Sequence, residues 1–488
     1  MKLKKLTEQI LSEQSFLVLR EIGRVIGVKA PASKRKEQLI KEIIAIQSGE
    51  MQPTTPSGKG APTKTAVDIS NFLEDENPAP TETPNENIEN VNPNEFKPYP
   101  DNDNQYLTLH DRVQEGEIYV EGILEVNPKG YGFLRVNNCD CTPADVFVSN
   151  VDIKKYNLRR GDKVSAIAKE VRENDLPALQ KVEFINDFEP NVYKSRSYYE
   201  TLIPCYPNKR LNLEVAENKD TSMRIIDLFA PVGMGQRGLI VAPPKTGKTT
   251  LIKKMAKAIE QNHPKVHLIV LLIDERPEEV TDIKACVKSE VYYSTFDQSA
   301  EHHVRIAELI LDRAKRLVES KQDVVILMDS ITRLARAYNN VVEPSGRTLS
   351  GGIDPTALYG PKKFFGAARK VDCGGSLTIL STALVDTGSR MDDIIYEEFK
   401  GTGNMEIFLS RELSEKRIFP AIDLYKSGTR HDELLLSEKE LDAVYKLRRL
   451  LAENKDSTTA LIDMINKTEN NEEFVAKLDS WLKIYGNK

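Results

Sequence analysis

No run of about 18 consecutive apolar residues occurs anywhere in the 488-residue chain, so no membrane-spanning helix is expected. The segment from Met1 to Gln9 turns polar and acidic within a few residues and lacks the apolar core of a secretory signal. Cysteine is scarce. Five residues, at positions 139, 141, 205, 286 and 373, are odd in number, widely spread and without a C-x-x-C pair. That pattern excludes a disulfide framework and points to a reducing, cytoplasmic setting. Cys139-Asp140-Cys141 has no histidine near it in sequence to complete a zinc site and reads as a turn. Basic charge is not in excess either: the net charge is −6, which argues mildly against nucleic acid as a partner until local charge is considered. No internal repeat is present.

Apolar residues at 40% and charged residues at 29% are ordinary for a soluble globular protein, and the length allows about three domains. Residues 1–47 read as a small helical unit, with Ser33 as N-cap and Leu39, Ile40, Ile43 and Ile44 on one face. Lys34, Arg35, Lys36 and Lys41 make it basic, as either a minor nucleic-acid platform or a solvated face. Residues 48–112 set nine prolines among Asn, Glu, Thr and Ser and read as a flexible linker. Residues 113–190 show short strands at 118–126, 130–136, 145–148 and 163–168, the signature of a small β-barrel of OB or cold-shock type. After a connector at 191–221, residues 222–435 alternate apolar runs (238–242, 267–273, 324–328, 376–383) with amphipathic helices such as 301–320, an α/β plan with a mainly parallel sheet. Residues 436–488 look helical, through Leu441, Val444, Tyr445, Leu447, Leu450 and Leu451, and carry no motif.

Within the α/β region, the apolar run 238–242 leads into Pro243-Pro244-Lys245-Thr246-Gly247-Lys248-Thr249-Thr250 and then a helical pattern. A strand, a Gly-Lys-Thr turn and a helix N-terminus place backbone N–H groups and the helix dipole where phosphates bind. Lys248 would reach the β/γ-phosphates and the Thr249 hydroxyl would ligate Mg²⁺. Ala242 stands where the general motif has its first Gly.

The run 267–273 ends in Asp274-Glu275-Arg276-Pro277-Glu278-Glu279, at the carboxyl end of a strand, where open α/β sheets bind ligands. Glu275 is the candidate to polarise the water that attacks the γ-phosphate; the same acids could equally cap a helix opened by Pro277. The run 324–328 closes on Asp329, the usual strand-end partner of a phosphate loop, which would hold Mg²⁺. Phosphoryl transfer also needs a cation. Arg430 is the candidate, acting across a subunit interface, with Arg417 second; each could instead be a surface ion pair.

In the barrel, Tyr131 and Phe133 lie two apart on one strand face between glycines, and Phe147 joins them from a neighbouring strand. Bases can stack on such a platform while Arg135, Lys154, Lys155, Arg159 and Arg160 follow phosphates; a buried aromatic pair is the alternative. Two Gly/Ser-rich loops, 344–352 with Arg347 and 386–392 with Thr387, Gly388 and Arg390, suit gripping a phosphodiester chain, or are ordinary mobile loops.

These pieces together closely resemble the bacterial transcription termination factor Rho family: the phosphate loop 242–249 including its Ala, the runs 272–281 and 329–339, and Tyr396-Glu397-Glu398-Phe399-Lys400-Gly401-Thr402-Gly403-Asn404-Met405-Glu406. The likeness is strong over 113–435 and weak over 1–47. It implies a homohexameric RNA-dependent ATPase and 5′–3′ RNA–DNA helicase with a RecA-like core. Such a motor translocates on nascent RNA and releases it from RNA polymerase, alongside elongation factors. It implies ATP and Mg²⁺ bound by Lys245, Thr246, Gly247, Lys248, Thr249, Thr250, Arg276 and Asp329, with Phe419 on the adenine, Glu275 positioning water and Arg430 as a finger in trans. It also assigns Tyr131, Phe133, Arg135 and Phe147 to a primary RNA site and Arg347, Thr387, Gly388 and Arg390 to pore loops. Family members commonly carry lysine at positions 347 and 390, and the 48–112 segment is a departure. Two other classes compete. A cold-shock-type RNA binder with a degenerate ATPase is countered by intact Lys248, Thr249, Glu275 and Asp329. A rotary or RecA-type motor without RNA duty is countered by the aromatic barrel and basic loops.

Overall fold

The computed structural model describes residues 116–169, 176–193, 196–215, 219–453 and 457–485, with the helix Lys36–Gln47 and a few single residues near it. The linker expected over 48–112, Met51 apart, and Ser33 and Arg35 of the N-terminal unit lie outside the described residues. The chain divides into two compact units, Met1–Val91 and Asn92–Lys488. In the first, helix Lys36–Gln47 buries Leu39, Ile40 and Ile43, the face its periodicity predicts, and Lys34 is paired with Glu42 rather than free for a ligand.

The second unit begins with a closed five-stranded barrel. Its strands are β1 (Glu117–Val126), β2 (Gly132–Arg135), β3 (Val146–Val148), β4 (Lys163–Lys169) and β5 (Ala178–Ile185), in the order β1-β2-β3-β5-β4. Val120, Leu124, Leu134, Val146, Val148, Val164 and Ala166 alternate inward and fill it. β5 was not legible as a strand. Its buried residues, Leu179, Val182 and Ile185, recur every third position because two irregularities against β4 break the alternation.

A nine-stranded sheet follows: β6 (Pro204–Cys205), β7 (Arg237–Ala242), β8 (His267–Glu275), β9 (Glu290–Thr295), β10 (Asp323–Asp329), β11 (Arg369–Val371), β12 (Ser376–Leu384), β13 (Met405–Phe408) and β14 (Gly428–Thr429). The central order β13-β7-β12-β10-β8-β9 is parallel throughout, with β14 antiparallel at one edge. Both faces are covered, which is why β7, β8, β10 and β12 read as continuous apolar runs. Ile240, Val270 and Leu272 face helix Lys248–Asn262, while Leu239, Ile269 and Leu271 face helices Ala300–Glu319 and Ile331–Val341. The C-terminal helices Glu438–Glu453, Ser457–Asn466 and Asn471–Tyr485 complete the first of these cores with Val444, Leu447, Ile465 and Phe474. Buried Arg224 locks them in place by donating to the carbonyls of Ile465 and Thr468, each at 2.8 Å.

The barrel docks on helix Ala300–Glu319 through a buried polar seam. Fully buried Arg313 donates to Asn186, which donates to Asp162 (2.8 Å) and to the Tyr193 hydroxyl (2.6 Å). Arg159 and Arg160, expected to follow RNA, are instead turned to this helix. Glu319 holds Arg159 at 2.8 Å and Asp312 holds Arg160 at 3.1 Å, because the helix presents carboxylates to that face of the barrel. Gly161, at φ +90°, lets the two backbones meet: a Cβ there would collide with the peptide between Asp312 and Arg313. Among the described residues no helix is long and apolar enough to cross a membrane.

Candidate nucleotide site and nucleic-acid interface

The carboxyl ends of β7, β8 and β10 converge. Helix Lys248–Asn262 starts at Gly247, whose φ of +88° turns the loop, and the Thr246 hydroxyl closes that loop on the Pro243 carbonyl at 2.8 Å. The N–H groups of the helix's first turn have no intrahelical partner and are free for an anion.

Lys248 Nζ lies 2.6 Å from Asp329 Oδ1 and 3.5 Å from Glu275 Oε2. Burial works against its charge, but Asp329 and Glu275 outweigh burial and raise its pKa above the ordinary lysine value. Glu275 owes its aim to an irregularity at the end of β8. Asp274 takes φ +57°, the pairing with β9 shifts between Ile273 and Glu275, and Glu275 turns inward to 2% exposure. Burial, with the Asp329 charge in support, raises the Glu275 pKa; Lys248 and Arg333 oppose. The helix-capping alternative thus applies to Glu278 and Glu279, which sit in the first turn of helix Pro277–Cys286.

Asp329 is held at Oδ1 by Lys248 and by the Thr382 hydroxyl at 2.7 Å, while its buried Oδ2 has no hydrogen-bond partner. The Thr249 hydroxyl donates to Glu279 at 2.9 Å. An unpartnered buried carboxylate oxygen and a nearby hydroxyl suit a hard cation and its water shell. Two contributors escaped the sequence reading. Arg333 reaches Asp274 at 3.3 Å and Glu275 at 3.7 Å, and Thr382 fixes Asp329. Arg333 lies within the run 329–339, four positions after Asp329, so its place on the first helical turn after β10 was available as a signal.

Beside the loop, a cavity of about 170 Å³ is lined by Thr246, Gly247, Thr250, Leu251 and Phe419, with Phe419 53% exposed. This mostly apolar slot adjoins the phosphate cradle. Lys245 and Arg276 are exposed at the same end of the sheet. Arg430 is at the other end. It follows β14, whose register (Thr429↔Met405, with Met405↔Gly238) puts it at the amino ends of β13 and β7, away from its own phosphate loop. Its side chain is exposed, as is that of Arg417.

On the barrel, Tyr131, Phe133 and Phe147 form one cluster, with ring centroids 5.7, 5.8 and 6.0 Å apart, each partly open to solvent. Arg135 stacks 4.9 Å above Phe133 but is already engaged, at 2.7 Å with Glu125 and 2.5 Å with Asp145. Glu125 also receives Arg305 of helix Ala300–Glu319 at 2.9 Å. Lys154 and Lys155 remain exposed. The loops 344–352 and 386–392 meet where Gly351 packs on the peptide joining Arg390 and Met391. Arg347, Thr387, Gly388 and Arg390 are exposed, while Asp392 anchors the second loop through Thr387 (2.6 Å) and Arg336 (2.8 Å).

Fold and site together define a nucleotide-binding ATPase of the RecA-like class joined to an OB-like nucleic-acid-binding barrel. The nucleotide-binding domain of the ATP synthase alpha/beta family matches residues 222–429, and the RNA-binding domain of the Rho termination factor matches residues 120–191. Transcription termination factor Rho of Bacillus subtilis is 54% identical over 363 residues, 74% of this chain and 85% of that protein. The Aquifex aeolicus and Thermotoga maritima Rho factors are each 51% identical, over 74% and 75% of this chain and 85% and 86% of theirs. The chain belongs to the Rho family of transcription termination factors.

Proposed function

We propose that this protein is an RNA-dependent ATPase that assembles as a homohexameric ring in the cytoplasm, moves 5′ to 3′ along nascent single-stranded RNA and releases it from RNA polymerase. The observation that carries the reading is the convergence of Lys248, Glu275 and Asp329 on one phosphate loop, in the same compact unit as a barrel bearing three clustered, solvent-open rings.

This geometry supports the following chemistry. ATP phosphates settle on the N–H groups at the start of helix Lys248–Asn262, and Lys248 exchanges Asp329 for them. Phe419 and the Thr246–Thr250 turn take the base in the adjoining slot. Glu275, desolvated and steered by Arg333, orients the attacking water. Thr249 and Asp329 fit Mg²⁺, which when bound supplies charge neutralisation across the phosphates. Arg430, at the far end of its own sheet, completes the site of the next subunit, where a finger contributes about 10³–10⁵ to turnover in related phosphoryl transfers. RNA enters over Tyr131, Phe133 and Phe147 and passes to the loops carrying Arg347 and Arg390.

The test is ATP hydrolysis by the purified full chain without nucleic acid, with pyrimidine-rich single-stranded RNA and with matching DNA, beside Glu275→Ala. Turnover stimulated by RNA and lost in the variant is expected. Turnover indifferent to RNA, or absent, would overturn the reading.

A further inference from the structure

A finger in trans must arrive at another subunit's nucleotide in a defined place, and the side chain of Arg430 is exposed. The strand before it, β14, is two residues long and rests on β13 through only Thr429↔Met405 and Gly428↔Glu406. A strand that short does not hold its own direction.

Arg448, on helix Glu438–Glu453, supplies the support. It donates from Nη1 to the Ser427 carbonyl at 3.0 Å and from Nη2 to the Phe229 carbonyl at 2.7 Å, tying the residue before β14 to the end of helix Thr221–Phe229. Its guanidinium stands 5.9 Å from the Phe229 ring centroid, and Gly428 leaves it room: a Cβ there would come within 3.2 Å of Nη2. Three bonds finish the clamp. Phe408 N–H reaches the Ser427 hydroxyl at 3.0 Å, the Thr429 hydroxyl reaches the Pro231 carbonyl at 2.8 Å, and Arg430 N–H reaches the Asn404 carbonyl at 2.8 Å.

We propose that Arg448 is a positioning residue for Arg430: the first C-terminal helix sets where each subunit delivers its finger to the next. The inference rests on the trans role of Arg430 proposed above. The two carbonyls are met by separate nitrogens of one planar guanidinium, a fixed fork that the single nitrogen of a lysine does not reproduce.

The experiment uses full-length chains. Arg448→Met keeps the stem beside Phe229 and drops both donors; Arg448→Lys keeps the charge on a single nitrogen and loses the fork. With saturating single-stranded RNA, Arg448→Met is expected to lose about ten- to a hundred-fold in kcat with KM for ATP unchanged, and Arg448→Lys to fall between. Mixed with Lys248→Ala chains, inactive alone, Arg448→Met should regain turnover. The Lys248→Ala chains bring a sound Arg430 to the intact phosphate loops of their neighbours. Arg430→Ala mixed the same way is the reference. A wild-type kcat in Arg448→Met overturns the inference. So does an inactive Arg448→Met that mixing fails to restore while the Arg430→Ala mixture recovers, because its own nucleotide site is then damaged. If Arg430→Ala alone turns over like the wild type, the trans finger fails and this inference with it. Thermal unfolding reports whether Arg448→Met folds; should it not, Arg448→Lys is mixed in its place, with recovery supporting the inference and failure to recover overturning it.

Discussion

Glu275 is a carboxylate held out of water beside a lysine, an arginine and a second carboxylate, and its acidity follows from that company. Burial raises its pKa above 4.5, so the acidic limb of the pH–kcat/KM profile should lie above the ordinary carboxylate range and vanish in Glu275→Gln, whose residual rate should be about 10²–10⁴-fold lower. Stability runs the other way. A carboxyl with a raised folded-state pKa contributes stability below its unfolded pKa, and that increment is lost as pH rises through the folded value. Glu275→Gln should therefore unfold at no lower temperature than the wild type at neutral pH, which calorimetry checks. On the barrel, Phe133→Ala and Phe147→Ala should each weaken single-stranded RNA binding by about 1–3 kcal/mol, read by titration at fixed salt.

At the level of elements, what the sequence disclosed was whatever a single segment carries. The phosphate loop and the strand ends at Glu275 and Asp329 are local patterns, and each lies where its segment predicts; Phe133 lies on β2, with Tyr131 just before that strand. What depends on a second segment was not legible. β5 hides behind bulges against β4, and β9 and β13 are short and mixed in polarity. Arg135, Arg159 and Arg160 read as free cations because Glu125, Asp145, Glu319 and Asp312, which hold them, come from other elements or lie ten positions away. Gly161 belongs here as well. With φ +90° and the Asp312–Arg313 peptide against its α-carbon, Gly161→Ala should cost about 2–4 kcal/mol, measured by denaturant unfolding, and should reduce RNA stimulation of ATP turnover more than basal turnover.

For the whole molecule, the three C-terminal helices are part of the ATPase core rather than an appendage, since Ile465, Phe474 and Leu478 are buried with Ile240 and Leu272. Ending the chain before Ser457 would strip Arg224 of the Ile465 and Thr468 carbonyls and uncover the apolar core that Ile465, Phe474 and Leu478 share with Ile240 and Leu272. A lowered unfolding midpoint and a fall in soluble yield are expected. The seam under the barrel has a consequence of another kind, for anyone who would treat this chain as a kit of parts. Asp162 and Glu125 face onto Arg196 and Arg305, and Asn186, the residue after β5, onto Arg313, so a barrel cut out near its strand boundaries would carry its half of a lock without the key. Transplanting its RNA preference onto another motor means moving the matching face of helix Ala300–Glu319 with it.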